Sequence, residues 1–231
     1  LWTKVFLQNF CAPVARATRR RRRQGPQMLT LDHIAVSGNT LAEAREAVET
    51  ALGVALKPGG RHDLFGTHNA LLGLADGLYL EAIAADPDAP PPARPRWFDL
   101  DRFSGRPRLT NWICATGNLE AALDRLPDGA GQPVALSRGD LEWRMAVPPD
   151  GRLPFGGQFP AIIQWHTETP PGVSLPSAGL RLEALTICGP DVAALQERLA
   201  PVLDDDRVIY RTMADRMMAA VFVTAPLSCD V

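Results

Sequence analysis

The sequence predicts an α+β protein built from repeated βαββ-like passes. Three observations carry this reading: short apolar runs with strand-like alternation recur along the chain, a helix-spaced segment follows the first run of each pass, and a proline-rich stretch separates the first pass from the second. The first run is LTLDHIAV (29–36), apolar and partly alternating. The next segment is helical in spacing, with Leu41, Ala44, Val48, Ala51 and Leu52 on one face, and Thr40 and Glu43 stand at capping-box spacing, where hydroxyl and carboxylate satisfy the first free amides. Gly53 suits the helix stop. Two strands follow, HNALLGL (68–74) and LYLEAIA (78–84), joined by Ala75-Asp76-Gly77, a hairpin signal.

DPDAPPPARP (86–95) is too rich in proline for helix or interior strand and reads as a connection. The pattern then returns. RLTNWICAT (108–116) is a strand, NLEAALDRL (118–126) a short helix with Asn118 as N-cap, and LEWRMAV (141–147) and PAIIQWH (160–166) are strands. A third pass starts at LRLEALTIC (180–188), places Pro190 at a first helical position before DVAALQERLAPVL, and ends in the strands RVIYRTM and MAAVFVTA. The expected organisation is a first module over 28–86, a proline-rich linker over 87–107, a second module over 108–170, and a third βαββ unit over 180–226 packed on the same domain. An unrelated α+β sandwich with the same element order fits periodicity alone equally well.

Charge narrows the function. Residues 1–27 carry seven of the 24 basic residues (Lys4, Arg16 and Arg19 to Arg23) and no acid, so 17 bases face 26 acids in the remainder. An acidic body excludes nucleic acid as a partner of the folded part, because phosphate contacts need a basic face. The leader's apolar stretch precedes its arginines, the reverse of a secretory signal, although an organellar transit peptide shares its composition. The chain opens with Leu1 and Met28 directly precedes the first strand, so 1–27 is expected to be a basic, disordered tail or an over-long gene start. No apolar run reaches the roughly 18 residues of a membrane span, so no membrane partner is expected. Four scattered cysteines, with no CxxC pair, point to reduced thiols and a cytoplasmic location.

LDHIAV followed by a helix, then GGRHDLFGTHNALLGL, YLEAIA, SRGDLEWRMAVP and PAIIQWH, resembles the glyoxalase-like branch of the vicinal-oxygen-chelate superfamily. The resemblance covers most of 29–166. It implies βαβββ-type modules that pair into a curved mixed sheet around a small-molecule cavity, with helices on the outer face. It also implies a divalent metal (Zn, Mn, Ni or Fe) held by a His on the first strand and a Glu on the last strand of each module, here His33 and Glu81.

The residues themselves allow that chemistry. His33 shares a strand face with Leu31 and Ala35, and Glu81 with Tyr79 and Ile83, so each is a polar group among apolar neighbours that requires a partner: a shared metal, or each other. The second module departs from the pattern, offering Asn111 and Trp112 in place of His, and Gln164 in place of Glu. Gln164 ligates only through its carbonyl oxygen and has no basic site, which leaves Glu81 or a nearby His as the catalytic base. Trp165, on the opposite face from Gln164, is expected to pack against the helices. Four further residues are ligand-binding candidates. His166 shares a face with Gln164 and points either into the cavity or to solvent. His62 and Asn69 either meet a ligand's polar head or satisfy backbone in a glycine-rich turn, and Arg144 is either an anion partner or half of a surface ion pair.

Two function classes follow. One is a small-molecule enzyme of lyase, isomerase or dioxygenase type acting on a small oxygenated metabolite; the other is a binding or resistance-type protein that uses the same cavity without turnover. Paired modules arise within one chain or across a homodimer, and both arrangements fit.

Overall fold

The computed structural model describes residues 28–225 and the backbone of a short strand β1 (Val5–Leu7). The remainder of the expected basic tail lies outside the described residues. The first module runs β2 (Thr30–Ser37), α1 (Leu41–Leu52), β3 (Lys57–His62), β4 (Thr67–Gly73) and β5 (Tyr79–Ala85). The second repeats that order as β6 (Arg108–Ala115), α2 (Leu119–Leu123), β7 (Gln132–Arg138), β8 (Leu141–Val147) and β9 (Ala161–Trp165).

These eight strands form one curled mixed sheet of order β3-β4-β5-β2-β6-β9-β8-β7, in which each module supplies one half. Its halves join at β2 and β6, which run antiparallel with Ile34 opposite Trp112. Within each half the first and last strands are parallel neighbours, β2 with β5 and β6 with β9. Both modules of the pair therefore come from one chain.

α1 is positioned as its sequence requires. The Thr40 hydroxyl accepts from the Glu43 amide, Gly53 closes the helix at φ 69°, and Ala44, Val48 and Leu52 face the core. β3 and β7 escape a reading by periodicity because they are the outermost strands of the sheet: most of their side chains meet solvent, so no apolar alternation marks them. The deepest core side chains, Trp112, Phe65, Phe159 and Phe222, come from strands and connections of all three passes.

A single turn, α3 (Pro171–Ser174), leads into the third pass. That pass, β10 (Leu180–Gly189), α4 (Val192–Leu199), β11 (Val208–Thr212) and β12 (Met217–Thr224), builds a second sheet of order β1-β12-β10-β11. The proline-rich connection is more than a spacer. Its 3-10 segment Trp97–Arg102 folds back over the main sheet and buries Trp97, Phe98 and Leu100. Gly151 locks this segment down: its φ is +74°, and a Cβ there would stand 2.0 Å from the Arg96 carbonyl oxygen.

Candidate functional site

The inner face of the first module carries a buried polar cluster. His33 and Glu81 are 4% and 5% exposed, and His33 Nε2 lies 3.7 Å from Glu81 Oε2. Register explains the meeting: His33 pairs with Tyr79, Ala35 pairs with Glu81, and alternation turns all four to one face. The His33 and Tyr79 rings stack with centroids 4.2 Å apart, and the Tyr79 hydroxyl is 3.4 Å from His33 Nε2. Burial holds the Tyr79 phenol well above its ordinary pKa, with the nearby Asp32 and Glu81 charges adding to the effect, so it remains a donor.

Sequence reasoning passes over Asp32. The β2–β6 register shifts between Leu31 and His33, and this bulge leaves the Asp32 carboxylate 3.4 Å from His33 Nδ1. Trp165 Nε1 donates to both Asp32 oxygens at 3.2 and 3.1 Å. The imidazole thus has a carboxylate on each side.

Glu81 is fixed by its other oxygen, Oε1, which accepts from Asn69 Nδ2 at 2.6 Å. Asn69 Oδ1 in turn accepts from the Gly60 amide at 2.8 Å and from Arg138 Nη1 at 3.2 Å. Gly59 makes this approach feasible, since a Cβ there would sit 2.0 Å from Asn69 Oδ1. Arg138 Nη1 also donates to His62 Nε2 at 2.9 Å, so His62 carries its proton on Nδ1 and donates to Thr67 Oγ1 at 3.0 Å. Burial, reinforced by the Arg138 charge, depresses the His62 pKa to about 3 and keeps the ring neutral.

His33, His62, Asn69, Tyr79, Glu81 and Arg138 line a hollow of about 30 Å³, closed by Trp97 and Phe98 from the connection and by Trp143 and Trp165 from the second module. The expectation that Trp165 packs on the helix side is reversed, and with it the placement of three second-module candidates. Ile163 and Trp165 face the hollow, so alternation sends Gln164 outward, where its Oε1 accepts from the Leu119 amide at 2.9 Å and caps α2. Gln164 is therefore not a ligand beside His33. Arg144 lies opposite Gln164 in register and pairs with Glu120 on the outer face. His166 is exposed past the end of β9.

The expected metal requires comparison with the donors present. His33 and Glu81 supply two, Glu81 Oε1 is engaged by Asn69, and both His62 nitrogens are engaged by Arg138 and Thr67. Catalytic zinc and non-haem iron centres use three protein ligands, and no group of three His, Cys, Asp or Glu side chains converges among the described residues. The residues present do not make a complete divalent-metal site.

The glyoxalase-like domain family matches residues 31–203. This chain belongs to that family. At the level of the family, a glyoxalase-like protein is a small-molecule enzyme or a small-molecule binding protein. Among solved structures, a hypothetical protein from Staphylococcus aureus shares the fold, with 14% identity and TM-score 0.54, covering 82% of this chain and 87% of that one. Methylmalonyl-CoA epimerase from Mycobacterium tuberculosis is similar at 22% identity and TM-score 0.40, covering 62% of this chain and 91% of its own. A single-residue variant of the Streptomyces coelicolor methylmalonyl-CoA epimerase, in complex with 2-nitronate-propionyl-CoA, follows at 15% identity and TM-score 0.39, covering 64% and 99%. No curated protein matches the sequence. Among the described residues, no helix is long and apolar enough to cross a membrane.

Proposed function

We propose that this glyoxalase-like protein is an enzyme that moves a proton on a small oxygenated metabolite, as in isomerisation or elimination next to a carbonyl, with Glu81 as the base. The supporting observation is the Asp32–His33–Glu81 arrangement, in which the buried His33 and Glu81 bring Nε2 and Oε2 to 3.7 Å beside one hollow. Asn69 immobilises one Glu81 oxygen and leaves the other toward His33, while Asp32 accepts from His33 Nδ1 and turns Nε2 inward. The Arg138 guanidinium, which lines the hollow, supplies a donor for a substrate oxygen on which negative charge develops, and the Tyr79 hydroxyl donates to His33 Nε2. At about 30 Å³ the hollow holds one or two waters, so admission of substrate displaces Trp97 and Phe98. A dioxygenase would want a second free histidine on the metal, and the hydrogen bonds of His62 argue against that branch.

Binding without turnover is the second reading. It is favoured by the second module, whose Ile163 and Trp165 face the hollow without acid or base chemistry. Incubating the protein in D₂O with a panel of 2-hydroxy ketones, 2-oxo acids and simple thioesters separates the two. Proton-transfer catalysis incorporates deuterium next to the carbonyl of at least one compound, and Glu81→Gln slows that exchange at least a hundredfold. No exchange across the panel, or equal exchange by the variant, assigns the hollow to binding alone.

A further inference from the structure

A second cavity lies beyond Phe98, and nothing in the proton-transfer reading uses it. Phe98 lines both spaces, with the small hollow on one side and a pocket of about 490 Å³ on the other. The larger pocket is built where four parts of the chain meet: the start of β6, the connection before it, the β8–β9 connection from Asp150 to Gln158, and the Arg216–Met218 segment at the start of β12. Its charge is opposite to that of the body. Four arginines line it against two aspartates, in a chain whose residues beyond the basic leader carry 17 bases and 26 acids.

Arg108 is the most available of these cations. Its guanidinium stacks over the Phe103 ring at 4.3 Å and donates to the Ser104 and Arg106 carbonyls at 2.8 and 3.3 Å, and among the described residues no carboxylate pairs with its charge. Arg152 reaches Asp99 at 3.8 Å, and that same carboxylate already takes Arg102 at 2.6 Å. Like charges gathered around one concavity repel one another, and an anion seated among them relieves the repulsion. Asn111 supplies a second, independent sign of a ligand: it lines the same pocket at 2% exposure, and among the described residues its side-chain oxygen has no hydrogen-bond partner. Phe98, Phe103 and Met218 give the walls an apolar, ring-sized character.

We infer that this pocket is a binding site for a small organic anion with an apolar body, its carboxylate or phosphate held by Arg108 and Arg152 and a hydroxyl or N–H donated to Asn111. The site stands whether or not the hollow beyond Phe98 is catalytic, because none of its ligand contacts involves His33 or Glu81.

The test is titration calorimetry of the full chain with 4-hydroxybenzoate, 4-hydroxyphenyl phosphate, benzoate and 4-hydroxybenzamide. At least one of the two hydroxylated anions binds at least tenfold more tightly than the neutral amide, and their ratio tells carboxylate from phosphate. Arg108→Ala and Arg152→Ala each weaken the favoured anion at least fivefold. Arg45→Ala, a surface arginine on α1 paired with Glu49, leaves it unchanged and controls for diffuse charge. Asn111→Ala brings 4-hydroxybenzoate down to the affinity of benzoate, and benzoate binding by this variant shows that the pocket is still formed. Equal affinity for the amide, no binding of either hydroxylated anion at millimolar concentration, or equal losses on Arg45→Ala and Arg108→Ala would overturn the inference.

Discussion

Replacing His62 by Gln should flatten the acid limb of the protein's stability curve. In the folded chain burial and Arg138 hold the His62 pKa at about 3, whereas an unfolded histidine titrates near 6.5. Between those values the unfolded chain binds a proton that the folded chain refuses. The contribution is fully present above about pH 6.5 and is lost as pH falls toward 3. Each pH unit costs about 1.4 kcal/mol, which amounts to about 2 kcal/mol by pH 5 and about 5 kcal/mol over the whole interval. Glutamine can offer an amide N–H to Thr67 Oγ1 and a carbonyl oxygen to Arg138, the same pattern as the neutral ring, but it does not titrate. Urea unfolding at pH 7.5, 6.5, 5.8 and 5.0 measures the effect above the range in which most carboxylates protonate. With a slope of roughly 2–3 kcal/mol per molar urea, the wild-type midpoint should fall by roughly 0.7–1 M relative to that of His62→Gln across the range. Parallel loss of stability by the two proteins would refute the reasoning, since the folded ring would then accept its proton at the ordinary value.

Other expectations test the frame around the site. Gly151→Ala puts a Cβ at φ +74° and 2.0 Å from the Arg96 carbonyl oxygen, so it should destabilise the fold by at least ~1–3 kcal/mol and alter the near-UV circular dichroism as Trp97 and Phe98 shift. Unchanged melting and an unchanged aromatic spectrum would show that Gly151 does not hold the segment in place. Trp112→Phe keeps a fully buried ring but removes the donor that meets the Gln158 carbonyl at 2.9 Å, and thermal denaturation should register a loss of ~1–3 kcal/mol. Leu80→Ala empties a side chain with 0% exposure near the start of β5 and should cost ~2–5 kcal/mol in the same assay.

Much of the framework can be read from the residues because local chemistry decides it. Thr40 and Gly53 bracket α1, Ala75-Asp76-Gly77 turns β4 into β5, and LEWRMAV is β8 at its full length. The meeting of His33 and Glu81 is also legible, since period-two alternation places both among apolar neighbours on strands that become parallel partners. The rest of the cluster is not. Arg138 reaches Asn69 and His62 from the far edge strand of the other module, a contact set by the curl of the sheet and not by any spacing along the chain. Asp32 enters through a bulge that alternation does not foresee. Alternation misplaces Gln164 and Trp165 because AIIQW is apolar on both faces, and only strand pairing distinguishes inside from outside in such a run. Trp97 and Phe98 follow a proline-rich stretch whose composition signals a connection and says nothing of where it comes to rest.

Joining the two halves of the sheet in one polypeptide has a consequence for how such a site can change. A dimer of identical subunits would have to present every substitution twice, so any improvement to one wall would be imposed on its mirror. Here the polar wall with its imidazole and carboxylate and the opposing wall of Ile163, Trp143 and Trp165 have separate positions in the sequence. Each can be altered alone, so the chemistry of one wall is free to change while the other stays as it is.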